Sequence, residues 1–339
     1  MRRWKRFAAI GLSCALLCMA LSGCAGKKDD FTVPTRVLLS ETETTFGNFG
    51  YVLYDDDTVG IASYKGSESR VIVPDTIEGK RVVSVEYAAF MGCVSVRAVH
   101  LGKYVEVIGD DAFYGCTALT EINIPDKVWS IGTSAFGETP WLQAQTDEFV
   151  IVGDGVLLLY QGKAGTVTVP DKVKHLSCAF GLNTELYSVT MGDNVRTIGR
   201  YAFAYCESLR EVVIGENVVM IGDNAFDNCM YLTHINIPDK VESIGDYAFY
   251  YCNYLSDAYI GNSVTSIGRN AFTNCMRMRT LRLPASLGQI GQNAFEDCVS
   301  LTVVFYQGDE TAYSALEIGS TNYLLSDAHT IYSYGGGAR

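Results

Sequence analysis

The sequence predicts a mostly-β repeat solenoid whose rungs recur at a spacing of 23, each with short parallel strands and one tight helical turn. Three observations carry that expectation. Ile-Gly begins at 108, 131, 198, 221, 244, 267 and 290, with a spacing of 23 inside each of two blocks. Ala-Phe follows in phase at 89, 112, 135, 179, 202, 225, 248, 271 and 294. A cysteine stands three residues after the Phe in seven of these nine units: Cys93, Cys116, Cys206, Cys229, Cys252, Cys275 and Cys298. A fixed period of this size marks units that cannot cover their own apolar face and must stack.

One rung shows how the pattern becomes structure. Leu232, Ile235 and Ile237 are separated by polar residues, as in a strand with one buried face. Pro238 cannot donate to a ladder and ends it. Val241 and Ile244 form a second short extended piece, Gly245 permits a bend, and Ala248, Phe249 and Cys252 fit one tight turn aimed inward.

The chain opens with a different kind of segment. Residues 1–23 place Arg2, Arg3, Lys5 and Arg6 ahead of an apolar run over 7–20, the order of a secretory signal peptide. That run is too short to cross ~30 Å of hydrocarbon. It closes on Leu21, Ser22, Gly23 and Cys24, which resemble the lipobox of bacterial lipoproteins. The resemblance implies cleavage before Cys24 and a covalent lipid on its sulfur, with acyl chains such as palmitate as the only membrane anchor. Several acyl chains hold a protein firmly without a spanning helix. Residues 24–50 then read as the lipidated Cys and a tether.

Residues 51–140 read as a hairpin entry cap and a first repeat array. The hairpin tip holds Asp55, Asp56 and Asp57 beside Thr58, a turn rather than a calcium loop. Residues 141–306 repeat the design: a hairpin around Gly153, Asp154 and Gly155, then a second array. Between the two arrays, the step from Ile131 to Leu176 falls one position short of two periods, so a non-standard segment replaces a rung. Residues 307–339 form a C-terminal cap and tail, with a helix over 311–318 and a strand over 330–334 expected to cover the open end.

The Leu-x-x-Ile-x-Ile-Pro strand and the Ile-Gly-x-x-Ala-Phe-x-x-Cys return resemble the BspA-like class of leucine-rich repeats, over about residues 50–334. This resemblance implies a leucine-rich-repeat solenoid on the bacterial cell surface with an adhesin-like role. Some members bind host extracellular-matrix proteins or other cells. It transfers no particular ligand.

Charge narrows the partners. The chain carries 26 basic and 38 acidic residues; removing the four basic ones of the leader leaves 22 against 38, or −16. Such a surface repels phosphate backbones and anionic headgroups, which excludes nucleic acid and any membrane contact beyond the lipid. The cysteine column, at a spacing of 23 with no histidine joining in, reads as structural core rather than metal or disulfide. His100, His175, His234 and His329 share no pattern, and no catalytic, metal or phosphate-binding motif is present, so the expected protein is not an enzyme and needs no cofactor.

The outward strand slots are the candidate binding face. They hold His100, Glu121, Asn123, Glu211, His234, Asn236, Asp257, Tyr259, Arg282 and Phe305, and they vary while the inward positions repeat. A tyrosine-rich edge (Tyr201, Tyr205, Tyr231, Tyr247, Tyr250, Tyr251 and Tyr254, next to Tyr259) is a second candidate contact patch. The expected protein is a monomer in the cell envelope that binds a protein or glycan. The competing expectation is a structural lipoprotein that holds an envelope protein or cell-wall glycan of its own cell.

Overall fold

The computed structural model describes residues 31–40 and 42–333. Cys24 and the signal segment lie outside them. The chain divides into two compact units between Val156 and Leu157, each a stack of rungs that follows the sequence period.

In the first unit, Thr44–Phe46, Phe49–Leu53 and Val59–Tyr64 make an antiparallel meander. The parallel ladder of Lys80–Val85, Val107–Ile108 and Ser130–Ile131 continues from it. A second parallel ladder joins Arg70–Ile72, Ala98–His100 and Glu121–Asn123. The tether expected to reach residue 50 is shorter than that. Leu38 bridges Tyr54, and Arg36 reaches Asp56 at 2.9 Å and Glu106 at 2.7 Å, so residues 36–39 lie on the meander. Non-periodic contacts of this kind leave no mark in local sequence.

In the second unit, the short-strand ladder runs from Val156–Tyr160 through His175–Leu176, Thr197–Ile198, Met220–Ile221, Ser243–Ile244, Ser266–Ile267 and Gln289–Ile290 to Glu317–Ile318. The outward strands form two parallel sheets. One holds Thr166–Thr168, Ser188–Thr190 and Glu211–Val213; the other holds His234–Asn236, Asp257–Tyr259, Thr280–Leu283, Val303–Tyr306 and His329–Ile331. Beyond residue 306 the expected single helix is two: Glu310–Ser314 and Tyr323–Asp327. Ile318 is not helical but pairs with Ile290 as one more rung, reached by a longer stretch of chain than the regular period.

The core of each unit is an aromatic stack. Tyr64, Phe90, Phe113, Phe136 and Trp141 follow one another in the first, at 4.7–5.5 Å. Trp141 sits on the short helix Pro140–Gln143 that replaces the missing rung. In the second, Tyr160 leads into Phe180, Phe203, Phe226, Phe249, Phe272 and Phe295 at 4.9–5.2 Å. The hairpin tyrosines therefore start both stacks.

The expected tight helical turn is a run of β-turns that forms a third ladder. Each Phe N–H donates to the Ala carbonyl of the next rung, as in Phe113 to Ala135 and Phe226 to Ala248, both at 2.7 Å. This requires a left-handed residue just before the Ala and another two after the Phe. Asn224 (φ 54°) and Asn228 (φ 57°) fill those places in one rung, Tyr247 and Tyr251 (both φ 58°) in the next. Asn suits this conformation, while a bulky Tyr adopts it at a cost. At the end of the stack the side chain of Asn322 takes over, accepting the Phe295 N–H at 2.9 Å.

The cysteines are free, and all except Cys93 are buried among the eight described. Each ladder thiol from Cys116 onward donates to the Phe carbonyl of the preceding rung, as in Cys116 to Phe90 at 3.0 Å and Cys229 to Phe203 at 3.2 Å. The residue thus fills the core and supplies a weak donor. Burial pushes the Cys116 thiol up to about 12, and Cys229 and Cys275 well above their ordinary value. A thiolate reagent added to native protein is expected to modify Cys93 first among the described cysteines, with the other seven reacting only on unfolding. Mass mapping of labelled peptides checks this; early labelling of Cys252 would contradict it.

Candidate functional site

The ten residues expected on the binding face all lie on the outward strands, with their alternate neighbours turned inward. Val99, Ile122, Val212, Ile235, Ala258, Leu281 and Val304 occupy the inward places, and all but Ile122 are buried. The outward residues fall on different sheets, so they form separate patches. His100, Glu121 and Asn123 belong to the first unit; Glu211 lies in one sheet of the second, and His234, Asn236, Asp257, Tyr259, Arg282 and Phe305 lie in the other.

In that last sheet, parallel register aligns Asn236, Tyr259, Arg282 and Phe305 in one column. The Arg282 guanidinium lies 5.2 Å from the centre of the Phe305 ring, within cation–π range. Alongside runs the column of His234, Asp257, Thr280, Val303 and His329. Sequence reasoning missed Ile331, which extends the Phe305 column and is 37% exposed. It lies outside the repeat phase.

In the first unit, Ile72, His100 and Asn123 align, and Ile72 is 65% exposed. Ile72 also escapes the sequence reading, because its strand reads as the tail of the entry cap; its Val-Ile-Val-Pro pattern was the available signal. Below His100 lies a cleft of about 450 Å³ lined by Asp75, Lys103, Asp126 and Lys127. Lys103 lies 2.8 Å from Asp75 and holds that carboxyl below the usual carboxylate range. Asn123 is less available than expected: its side chain accepts the Leu101 N–H at 2.7 Å and faces its carbonyl at 3.3 Å.

The tyrosine-rich edge is three different things. Tyr201, Tyr205, Tyr247 and Tyr251 occupy the left-handed turn positions, with Tyr250 in the same turn as the last two; Tyr231 and Tyr254 stand at strand entry, and Tyr259 is on the strand face. Tyr205 and Tyr250 lie near Asp227, a residue only 6% exposed whose carboxyl is pushed up to about 6 by burial, against hydrogen bonds from Asn228 and Asn224. A folded-state value above that of the unfolded chain, about 4, means that native protein binds this proton more tightly. The stability it contributes is present below about pH 4 and is lost as pH rises through about 6. Asp227→Asn is therefore expected to raise the unfolding temperature at neutral pH relative to wild type, with the difference shrinking towards about pH 4. Thermal melts across that range check it; a constant difference would contradict it.

The aspartates of the hairpin tip are engaged in structure. Asp55 accepts the Val37 N–H at 2.9 Å, Asp56 pairs with Arg36 and caps Thr58, and Asp57 pairs with Lys80. Among the described residues, no cluster of three or more His, Cys, Asp or Glu could hold a metal ion, and no helix is long and apolar enough to cross a membrane.

This architecture has relatives. The chain resembles a leucine rich cell surface protein from Faecalibacterium prausnitzii at 19% identity, covering 82% of this chain and 98% of that one, with a TM-score of 0.40. It also resembles the pneumococcal vaccine antigen PcpA at 16% identity, over 89% of this chain and 99% of that one, with a TM-score of 0.48. A leucine-rich repeat protein from Bacteroides ovatus is 23% identical over 89% of this chain and 90% of that one, with a TM-score of 0.38. No curated protein sequence matches. The profile of the BspA type leucine-rich repeat region matches residues 75–152 and 165–302 in six copies. With both the periodic rung and the profile covering most of its length, the chain belongs to the BspA-type leucine-rich repeat family.

Proposed function

We propose that this chain is a non-catalytic, lipid-anchored cell-surface protein that binds a macromolecular partner, foremost a protein, in an adhesin-like role. One observation carries the reading: the three backbone ladders and the Phe–Cys core repeat from rung to rung, while the outward strand positions do not. Asn236, Tyr259, Arg282 and Phe305 stand in equivalent places and share neither size nor charge. A scaffold that holds its core constant and lets one face vary presents a recognition surface, and its Tyr, Arg and Phe are residue types favoured where interfaces bury them.

Cys24 supplies the anchor. Cleavage before it and a thioether bond from its sulfur to a diacylglycerol would tie the protein to the outer face of the membrane, with residues 24–30 between the lipid and the described chain. The test uses cells expressing the full chain and the Cys24→Ala variant. Wild type is expected in the membrane fraction, and those cells should capture exogenous extracellular-matrix proteins; the variant is expected in the soluble fraction without capture. Capture confined to the cell's own envelope material would favour the structural lipoprotein, and a variant that stays with the membrane would overturn the anchor.

A further inference from the structure

Five successive rungs of the second unit place Tyr187, Arg210, Tyr231, Tyr254 and Arg277 in an unbroken row beside the strand entry. The Arg210 guanidinium lies 5.5 Å from the ring centres of both Tyr187 and Tyr231. Tyr231 and Tyr254 are 4.9 Å apart, and Arg277 lies 3.8 Å above the Tyr254 ring. As whole residues Tyr187, Tyr231 and Tyr254 are 45%, 40% and 37% exposed, and both arginines are exposed. Although Glu211 is its chain neighbour, Arg210 lies over rings.

We infer that this row binds an acidic polysaccharide laid along it, with pyranose rings packing against the exposed edges of Tyr231 and Tyr254 and carboxylates meeting Arg210 and Arg277. A guanidinium held against aromatic rings keeps its charge and its planar fork of N–H donors, which can grip a carboxylate with two hydrogen bonds. The tyrosines are rigid amphipathic side chains whose outer edges offer a sugar apolar contact beside a hydroxyl. Their spacing is set by the rung and is close to the repeat of an extended pyranose chain, so successive sugars meet successive side chains. The acidity of the whole chain does not forbid this, because screening beyond about 8 Å at physiological salt leaves the local cations in control.

The backbone argues against an extended peptide as the occupant. Strand addition needs unpaired main-chain groups. Here the Tyr187 N–H donates to Gly165 at 2.6 Å, Arg210 to Tyr187 at 2.9 Å, Tyr254 to Met230 at 3.0 Å and Arg277 to Asn253 at 3.3 Å. A glycan asks nothing of the main chain. This inference stands apart from the strand-face reading, since none of the five residues lies in the Tyr259 column.

The experiment titrates detergent-purified full chain with hexagalacturonate, cellohexaose and poly-L-glutamate. Hexagalacturonate is expected to bind most tightly and to weaken with added salt. Arg210→Gln with Arg277→Gln should lower that affinity by tenfold or more, about the loss expected for one charged pair. Arg210→Lys with Arg277→Lys should lose most of it too, because the charge remains but the planar fork does not. Tyr231→Ser with Tyr254→Ser should weaken both sugars, and each variant should unfold at the wild-type temperature because all four side chains are at the surface. Poly-L-glutamate bound as tightly as hexagalacturonate would overturn the polysaccharide assignment. Sugar binding untouched by the Tyr and Arg variants, or no sugar binding at all, would overturn the site, while leaving the Cys24 and strand-face experiments unaffected.

Discussion

Phe249→Ala is expected to destabilise the second unit by about 3–5 kcal/mol, the usual cost of a large cavity in a core that cannot collapse around it. Phe249 is fully buried between Phe226 at 5.1 Å and Phe272 at 4.9 Å. Its backbone is held as firmly as its ring: the N–H donates to Ala271 at 2.7 Å, and the carbonyl accepts both the Cys252 N–H at 3.3 Å and the Cys275 thiol at 3.4 Å. Rungs in a solenoid are stabilised mainly by their neighbours, so the loss should spread to the adjoining rungs. Denaturant unfolding measures it. A variant that unfolds like wild type would mean that the Phe column does not support the stack.

The second large effect comes from a glycine. A Cβ on Gly245 would lie 2.5 Å from the Asp223 backbone nitrogen, so Gly245→Ala can be accommodated only by prying two rungs apart. That would strain the Gly245 N–H bond to Ile221 at 2.9 Å and the Asp246 N–H bond to the Asp223 carboxylate at 2.9 Å. A cost of about 3 kcal/mol is expected from overpacking against backbone that has nowhere to move. Gly288→Ala is the control, since its nearest neighbour is the Thr265 carbonyl at 3.7 Å, and it should be nearly neutral. Equal losses in the two variants would contradict rung spacing as the cause, since the lower unfolded-chain entropy that accompanies Gly→Ala favours the folded state.

Gly245 also shows what sequence could and could not reveal. The Ile-Gly phase marks the rung correctly, but the expected reason, a bend, is not the operative one. The glycine does not take a left-handed conformation; the previous rung simply leaves no room for a side chain. Phe, Ala and Cys were legible because stacking imposes the same environment on each rung. The outward slots were legible for the complementary reason, since a period of two separates them from Ile235 or Leu281. What escaped were contacts without period: Arg36 reaching Glu106, Ile318 pairing with Ile290 out of phase, and Asn322 closing the turn ladder with a side chain. The tyrosine crowd was visible, but only the left-handed turns explain why four of its members stand where Asn stands in other rungs.

The central claim is that this chain keeps its scaffold and its recognition surface on separate residues. The most direct measurement takes a Tyr259→Ala, Arg282→Ala, Phe305→Ala variant of the full chain and records its unfolding temperature together with its capture of exogenous matrix protein. The account predicts melting close to wild type with capture abolished. Unchanged capture, or a stack that unravels when only these outward side chains are removed, would contradict it.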